Sequence, residues 1–303
     1  VGRLMTPFLG LSAFPVTPAT EDGCVDTDHL QRLVSRLATS GVASIGVLGS
    51  TGSYMYLSSE ERARALSAAV EAAGDVPVIA GIGAMRTSWV MEHAKAADSA
   101  GAAGVLLAPV NYLPLLDDEV LQLATDVSSA TDLPICIYNN PGTTHFNVSE
   151  KLVARLAEVP NVMAVKNPIP ADGGYAAQME RLRGAVPKDF SLGNSGDAKI
   201  ADALAANCDA FYSVLAGTLP DICLALWAAR NDATKLEILN EQLAPLWALF
   251  DAHGSIRVIH EAAEIIGLGP TPLPRPLLPL PVETRQELEK ALDAIHSTIN
   301  VPA

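Results

Sequence analysis

Residues 133–168 read LPICIYNNPGTTHFNVSEKLVARLAEVPNVMAVKNP. Two short apolar runs, 133–138 and 162–166, enclose a segment with helical periodicity at 149–159. An apolar run of five or six residues bounded by Asn, Pro and Gly reads as a strand buried on both faces. Strand, helix and strand in that order form a parallel crossover unit. The second run ends in Lys166, and Asn167 and Pro168 are expected to stop the strand. Burial disfavours the charged form of an amine. A lysine placed this way is the amine type that forms Schiff bases with carbonyl compounds, the alternative being a structural ion pair.

The same unit recurs in both directions. Apolar runs lie at 9–16, 44–48, 76–81, 104–108, 133–138, 162–166, 190–193 and 209–214. Segments of helical period separate most of them, at 28–39, 59–73, 88–100, 119–131, 149–159 and 198–206. Another, near 175–182, is the weakest pattern and follows a Gly/Pro-rich connection at 168–175. Ser58 with Glu61 reads as a helix cap with its capping-box acid, and Asn147–Glu150 supplies a second cap. Gly41, Gly74 and Gly101 stand where helices should stop. Eight strands alternating with helices predict an α/β (β/α)8 TIM barrel over residues 1–230. Helical patterns at 220–230, 233–252, 256–266 and 283–299, with a proline-dense stretch at 267–281, predict a C-terminal helical appendage over 231–303. The proline-dense stretch reads as a rigid linker.

Composition narrows the function classes. The 303 residues are 49% hydrophobic and 18% charged, enough apolar material for a large core. A formal net charge of −14 argues against nucleic acid and against an anionic membrane surface as partners. Cys24, Cys136, Cys208 and Cys223 lack CxxC spacing and read as reduced intracellular thiols. Residues 1–5 show no signal-peptide core, and no apolar run reaches membrane-spanning length. A cytoplasmic location is expected.

Barrels of this type carry chemistry at the C-terminal ends of their strands. Strand 2 ends in Gly49, Ser50, Thr51, Gly52 and Ser53, the composition of an anion cradle or of an ordinary turn. Strand 4 ends in Asn111 and Tyr112. Strand 5 ends in Tyr138, followed by Asn139, Asn140, Pro141, Thr143 and Thr144. A phenol beside an amine serves as a proton relay, the bland alternative being a core aromatic. Strand 8 presents Tyr212 and Ser213. His145 is either an acid/base near the site or a surface loop residue. The other five histidines lack metal-ligand spacing, so no metal is expected.

Thr17-Pro18, the Gly-Ser-Thr-Gly run at 49–52, Tyr138-Asn139-Asn140-Pro141 and strand-terminal Lys166 together resemble the dihydrodipicolinate synthase / N-acetylneuraminate lyase superfamily. The resemblance spans nearly the whole chain. It implies a homotetramer or homodimer, no metal or organic cofactor, and a covalent Schiff base between Lys166 and pyruvate or another 2-oxo acid. Carried over by position, Lys166 is the Schiff-base lysine, Tyr138 the proton-relaying phenol, and Ser50 and Thr51 the carboxylate ligands. Thr51 joins Lys166 and Tyr138 in the expected catalytic set, while Gly49, Asn111, Thr143 and Tyr212 complete the expected substrate-binding set.

Several positions depart from the family pattern. Ser53 stands where a Glu is usual. No Arg follows the strand-5 motif, where synthases hold their second substrate's carboxylate. Asn111 takes the place of a tyrosine shared across a dimer, with Tyr112 one position on. Tyr212 replaces a smaller apolar residue, and the Asn-Pro-Ile-Pro run after Lys166 is atypical. The expected activity is therefore a Schiff-base lyase or aldolase rather than a lysine-pathway synthase. The alternatives are the synthase proper and a non-catalytic metabolite-binding relative.

Overall fold

The structure, a computed structural model, describes residues 6–170 and 174–298. Expectations that touch residues 1–5, 171–173 and 299–303 lie outside them. The strands are β1 Gly10–Ala13, β2 Ser44–Val47, β3 Val78–Gly81, β4 Gly104–Leu107, β5 Ile135–Tyr138, β6 Val162–Pro168, β7 Ser191–Ser195 and β8 Ala210–Ser213. All neighbours run parallel in sequence order, and β1 closes the barrel on β8, with Leu11 opposite Phe211. The helices after β1 to β4 are α1 Thr27–Ala38, α2 Ser59–Ala73, α3 Thr87–Ala100 and α4 Asp117–Ser128. Next come α5 Pro141–Thr144, α6 Glu150–Leu156, α7 Tyr175–Ala185, α8 Ile200–Ala205 and α9 Pro220–Ala228. The C-terminal layer is α10 Ala233–Gln242, α11 Ala244–His253, α12 Ser255–Ile265 and α13 Val282–Thr298. The predicted (β/α)8 barrel and its C-terminal helices are both present.

Side-chain alternation along each strand divides the core in two. Outward residues such as Val47, Val105, Ile137 and Val165 pack under the helices. Inward residues Phe14, Ile79, Leu106, Cys136, Tyr138, Ala164 and Tyr212 fill the barrel itself. Two glycines make room for the inner rings. A Cβ on Gly46 would lie 2.1 Å from Phe14 Cζ, and one on Gly193 would lie 2.5 Å from Tyr212 Cε2.

Four local expectations are corrected. β6 does not stop at Lys166; Asn167 and Pro168 continue it because β7 offers Asn194 and Ser195 as register partners. The continuous helix expected at 233–252 is two helices meeting at Leu243, because Pro245 lacks the N–H an interior helical turn requires. Ser58 caps α2 by accepting from the Glu61 N–H, but the Glu61 carboxylate accepts instead from the Val25 N–H, at 2.6 Å, and from Arg64. The proline-dense stretch is packed rather than free-running: Leu273 and Leu280 are buried, and Thr271 exchanges hydrogen bonds with His260.

Candidate active site

Lys166 sits near the C-terminal end of β6 with only 3% of its surface exposed. Register pairing sets it directly beside Tyr138 of β5. Its Nζ lies 4.1 Å from the Tyr138 ring centroid, 4.2 Å from that of Phe14 and 5.5 Å from that of Tyr212. Phe14 meets Tyr212 edge-on at 5.9 Å. The amine is thus held by ring faces contributed from β5, β8 and the chain following β1. Such faces attract a cation and present no hydrogen-bond donor that would tie up a nitrogen lone pair.

The Tyr138 hydroxyl accepts from Asn140 Nδ2 at 2.7 Å. That arrangement leaves the phenol's own proton free to donate elsewhere. Asn139 locks the loop: its amide donates to the Val148 carbonyl and to Asn167 Oδ1, and its oxygen accepts from the Val148 N–H. Tyr212 is fully buried, with its hydroxyl 3.6 Å from Cys136 Sγ. Burial pushes the Cys136 thiol up to about 12 and raises the Tyr212 phenol well above the ordinary tyrosine range, so both stay protonated.

These groups open on a cavity of about 770 Å³. Its walls include Ser50, Thr51, Ser53 and Tyr54 after β2, Tyr138, Asn140 and Thr143 after β5, and Asp197 and Lys199 after β7. The outer wall comes from Phe250, Asp251, Gly254, Ser255, Ile256 and Leu277. Of the sequence-predicted set, Lys166, Tyr138, Ser50, Thr51, Thr143 and Tyr212 come together on this cavity.

Gly49 and Asn111, also expected as substrate contacts, are not among the residues lining this cavity. Gly49 packs under Phe14, where a Cβ would come within 2.8 Å of the ring. Asn111 donates its amide to the Thr144 carbonyl at 3.0 Å, tying two loops of its own chain. Tyr112 instead projects outward, 87% exposed. His145 is exposed, caps α5 in a left-handed conformation and does not line the cavity.

Sequence reading missed two supports of the site. Asp197 is buried and accepts from Ser213 Oγ, from the Leu215 N–H at 3.1 Å and from the Val214 N–H at 3.2 Å. Burial raises its pKa; those donors and the charge of Lys166 oppose the shift without cancelling it. His260, from α12, meets the Thr271 carbonyl through Nδ1 at 2.7 Å, and its other ring nitrogen faces the Thr51 carbonyl at 3.4 Å. Burial lowers the imidazole pKa, so the ring is neutral, and the shorter contact assigns its single N–H to Nδ1. Nothing in the local pattern of either residue announces contacts so far along the chain. Among the described residues, no group of three His, Cys, Asp or Glu side chains converges to hold a metal, and no helix is long and apolar enough to cross a membrane.

Comparison with known proteins agrees with this architecture. A profile of the Dihydrodipicolinate synthetase family matches residues 7–295. A 4-hydroxy-tetrahydrodipicolinate synthase of Thiobacillus denitrificans is 33% identical over 272 residues, covering 88% of this chain and 89% of the relative. The crystal structure of a dihydrodipicolinate synthase from Agrobacterium tumefaciens superposes with a TM-score of 0.94 at 47% identity, covering 97% of this chain and 100% of that one. A structure described as the first monomeric dihydrodipicolinate synthase variant superposes with a TM-score of 0.88 at 28% identity, covering 96% and 98%.

Proposed function

The chain belongs to the dihydrodipicolinate synthetase family of lyases, and on that premise we propose that it is a Schiff-base aldolase or lyase acting on a 2-oxo acid. The observation that carries the reading is the buried Lys166 amine, 4.1 Å from the Tyr138 ring and opening on the cavity. The lone pair of Lys166 Nζ attacks the 2-oxo carbon, and the carbonyl oxygen takes up a proton. Loss of that oxygen as water leaves an iminium. The iminium accepts the electron pair released when a neighbouring C–C bond breaks, or when a proton leaves C3 ahead of a C4 hydroxyl. Tyr138, whose hydroxyl is oriented by Asn140, delivers and recovers the protons. Ser50 and Thr51 hold the carboxylate. No metal or organic cofactor enters this scheme.

The cavity far exceeds the volume of pyruvate, which supports a larger substrate or a second one. The residues after β5 offer Thr143 and no Arg, which favours a hydroxylated chain over a second carboxylate. Lysine-pathway synthesis is the second reading, supported by the names of the relatives. Association with further copies of the chain is part of the proposal. Exposed Met55, Tyr56, Met85, Trp89, Tyr112 and Leu113 all follow the adjacent strands β2 to β4, Trp89 in the first turn of α3, and offer apolar surface suited to a second copy.

Borohydride reduction in the presence of a 2-oxo acid panel, read by intact mass, tests the chemistry. The expected result is an adduct on Lys166 that is absent from Lys166→Ala. An adduct surviving that substitution, or none with any acid, refutes the proposal. Turnover of pyruvate with aspartate semialdehyde would install the second reading in place of the first.

A further inference from the structure

Strands β5 and β6 do not pair in one continuous register. Ile135 lies opposite Val162, but Cys136 lies opposite Ala164, so one residue of β6, Met163, is extra. Met163 and Ala164 both pack toward the inner core, the mark of a bulge. The shift sets Tyr138 opposite Lys166. Continued in step from Ile135 and Val162, the same strands would set Tyr138 opposite Val165, whose side chain packs under the helices. A slip of one residue moves a side chain about 3.3 Å along the strand and exchanges the two faces of the sheet. The approach of the Lys166 amine to the Tyr138 ring therefore depends on which of the two registers holds.

A side-chain tie stands at the residues immediately after that pair. Asn139 Nδ2 donates to Asn167 Oδ1 at 3.1 Å, beside the backbone bond from the Asn139 N–H to the Lys166 carbonyl at 3.0 Å. Asn139 is 4% exposed and Asn167 6%. The rows they continue are apolar: Ile137 precedes Asn139 on the outer face of the barrel, and Val165 precedes Asn167 there. Across the next gap, Asn194 Nδ2 donates to the Asn167 carbonyl at 3.4 Å, and Asn194 Oδ1 accepts from the Tyr175 hydroxyl. Burying amides costs free energy that an apolar pair would avoid, and what a directional bond adds in return is a fixed register. In the unshifted register Asn139 would stand opposite Lys166 rather than Asn167, so the tie belongs to one register alone. We infer that Asn167 is a positioning residue: its side-chain oxygen, held by Asn139, keeps the shifted β5–β6 register that sets the Lys166 amine against Tyr138. This rests on the Schiff-base reading of the same lysine.

The test compares wild type with Asn167→Ala, Asn167→Leu and Asn167→Asp, with Val105→Ala as a control for packing lost away from the tie. The probes are pyruvate and 2-oxobutanoate. The readouts are the borohydride trapping rate on Lys166 at saturating acid, the acid concentration giving half that rate, and the melting temperature. Alanine and leucine lack the oxygen, and the trapping rate should fall about 100-fold, the scale of a displacement of roughly 1 Å at a reacting group, without a matching change in the half-saturating concentration. Leucine fills the volume that alanine empties, so the comparison holds if one of the two folds poorly. Aspartate keeps the oxygen and should keep the rate. An unchanged rate in a folded variant lacking the oxygen, a loss in Asn167→Asp as deep as in Asn167→Ala, or a loss confined to the half-saturating concentration would overturn the assignment of Asn167. So would an equal loss of rate in Val105→Ala at an equal fall in melting temperature. Absence of any adduct on wild-type protein would refute the Schiff-base reading itself, a different result from an adduct formed at an unaltered rate.

Discussion

Replacing Lys166 with methionine should abolish adduct formation and make the protein more stable. Lysine and methionine have similar stems, so the substitution removes the amine and keeps most of the packing. The amine is 3% exposed and surrounded by ring faces. Withdrawing an ammonium from water costs several kcal/mol after relaxation. Three ring contacts, two of them near 4 Å, return roughly 1 kcal/mol each. The thioether keeps part of that return through sulfur–aromatic contact, about 0.3–1.5 kcal/mol. The balance is a gain of about 1–3 kcal/mol, or about 2–6 °C in melting temperature at roughly 2 °C per kcal/mol for a large chain. Calorimetry on wild type and Lys166→Met, with borohydride trapping on the same samples, measures both quantities. A variant that melts at or below wild type would refute this reasoning, because the lysine would then be a net structural contributor.

Tyr138→Phe should slow trapping by about 100-fold or more while leaving the final adduct mass the same, measured as a time course. Asp197 supplies a pH signature. Its folded-state pKa is raised, so its favourable contribution is complete below the unfolded value and is lost as pH rises through the folded one. Urea unfolding between pH 4 and 8 should therefore show wild type losing ground relative to Asp197→Asn as pH rises; a gap that is constant or widens in favour of wild type contradicts the assignment. Gly193→Ala pushes a Cβ to 2.5 Å from the Tyr212 ring and should destabilise the fold by about 1–3 kcal/mol, read by thermal melting. Trp89→Glu places a charge among the exposed apolar residues that follow β2 to β4 and should shift the species seen by light scattering toward monomer; an unaltered mass distribution counts against that surface as the contact.

The barrel was legible because its strands are short apolar runs with a repeating interval, and their length and bounding turn residues separate them from helices. The pairing of Tyr138 with Lys166 followed from the same pattern, since β5 and β6 are consecutive and parallel. Three kinds of feature escaped. Asp197 looks like any loop acid until β8 brings Ser213, Val214 and Leu215 against it. The outer cavity wall comes from α11, α12 and Leu277, more than eighty residues after Lys166, and no local periodicity encodes that distance. Gly49 and Asn111 stand at strand ends with site-like chemistry, and sequence could not show that Phe14 packs on the first and that the second donates to the Thr144 carbonyl. Local sequence shows which groups are available at a strand end; the neighbours that occupy them come from elsewhere in the chain.

The closure of β1 on β8 sets an order of events during synthesis. Leu11 pairs with Phe211, 200 residues later, so the open side of β1 stays unpaired until the last strand leaves the ribosome. At roughly 5–20 residues per second that interval is about 10–40 s. The edge-on contact of Phe14 with Tyr212, which walls Lys166, depends on the same closure. A nascent chain therefore carries its lysine long before it has a reaction chamber. On the proposed chemistry, the ring-lined surroundings of the amine are complete only when the final seam has closed.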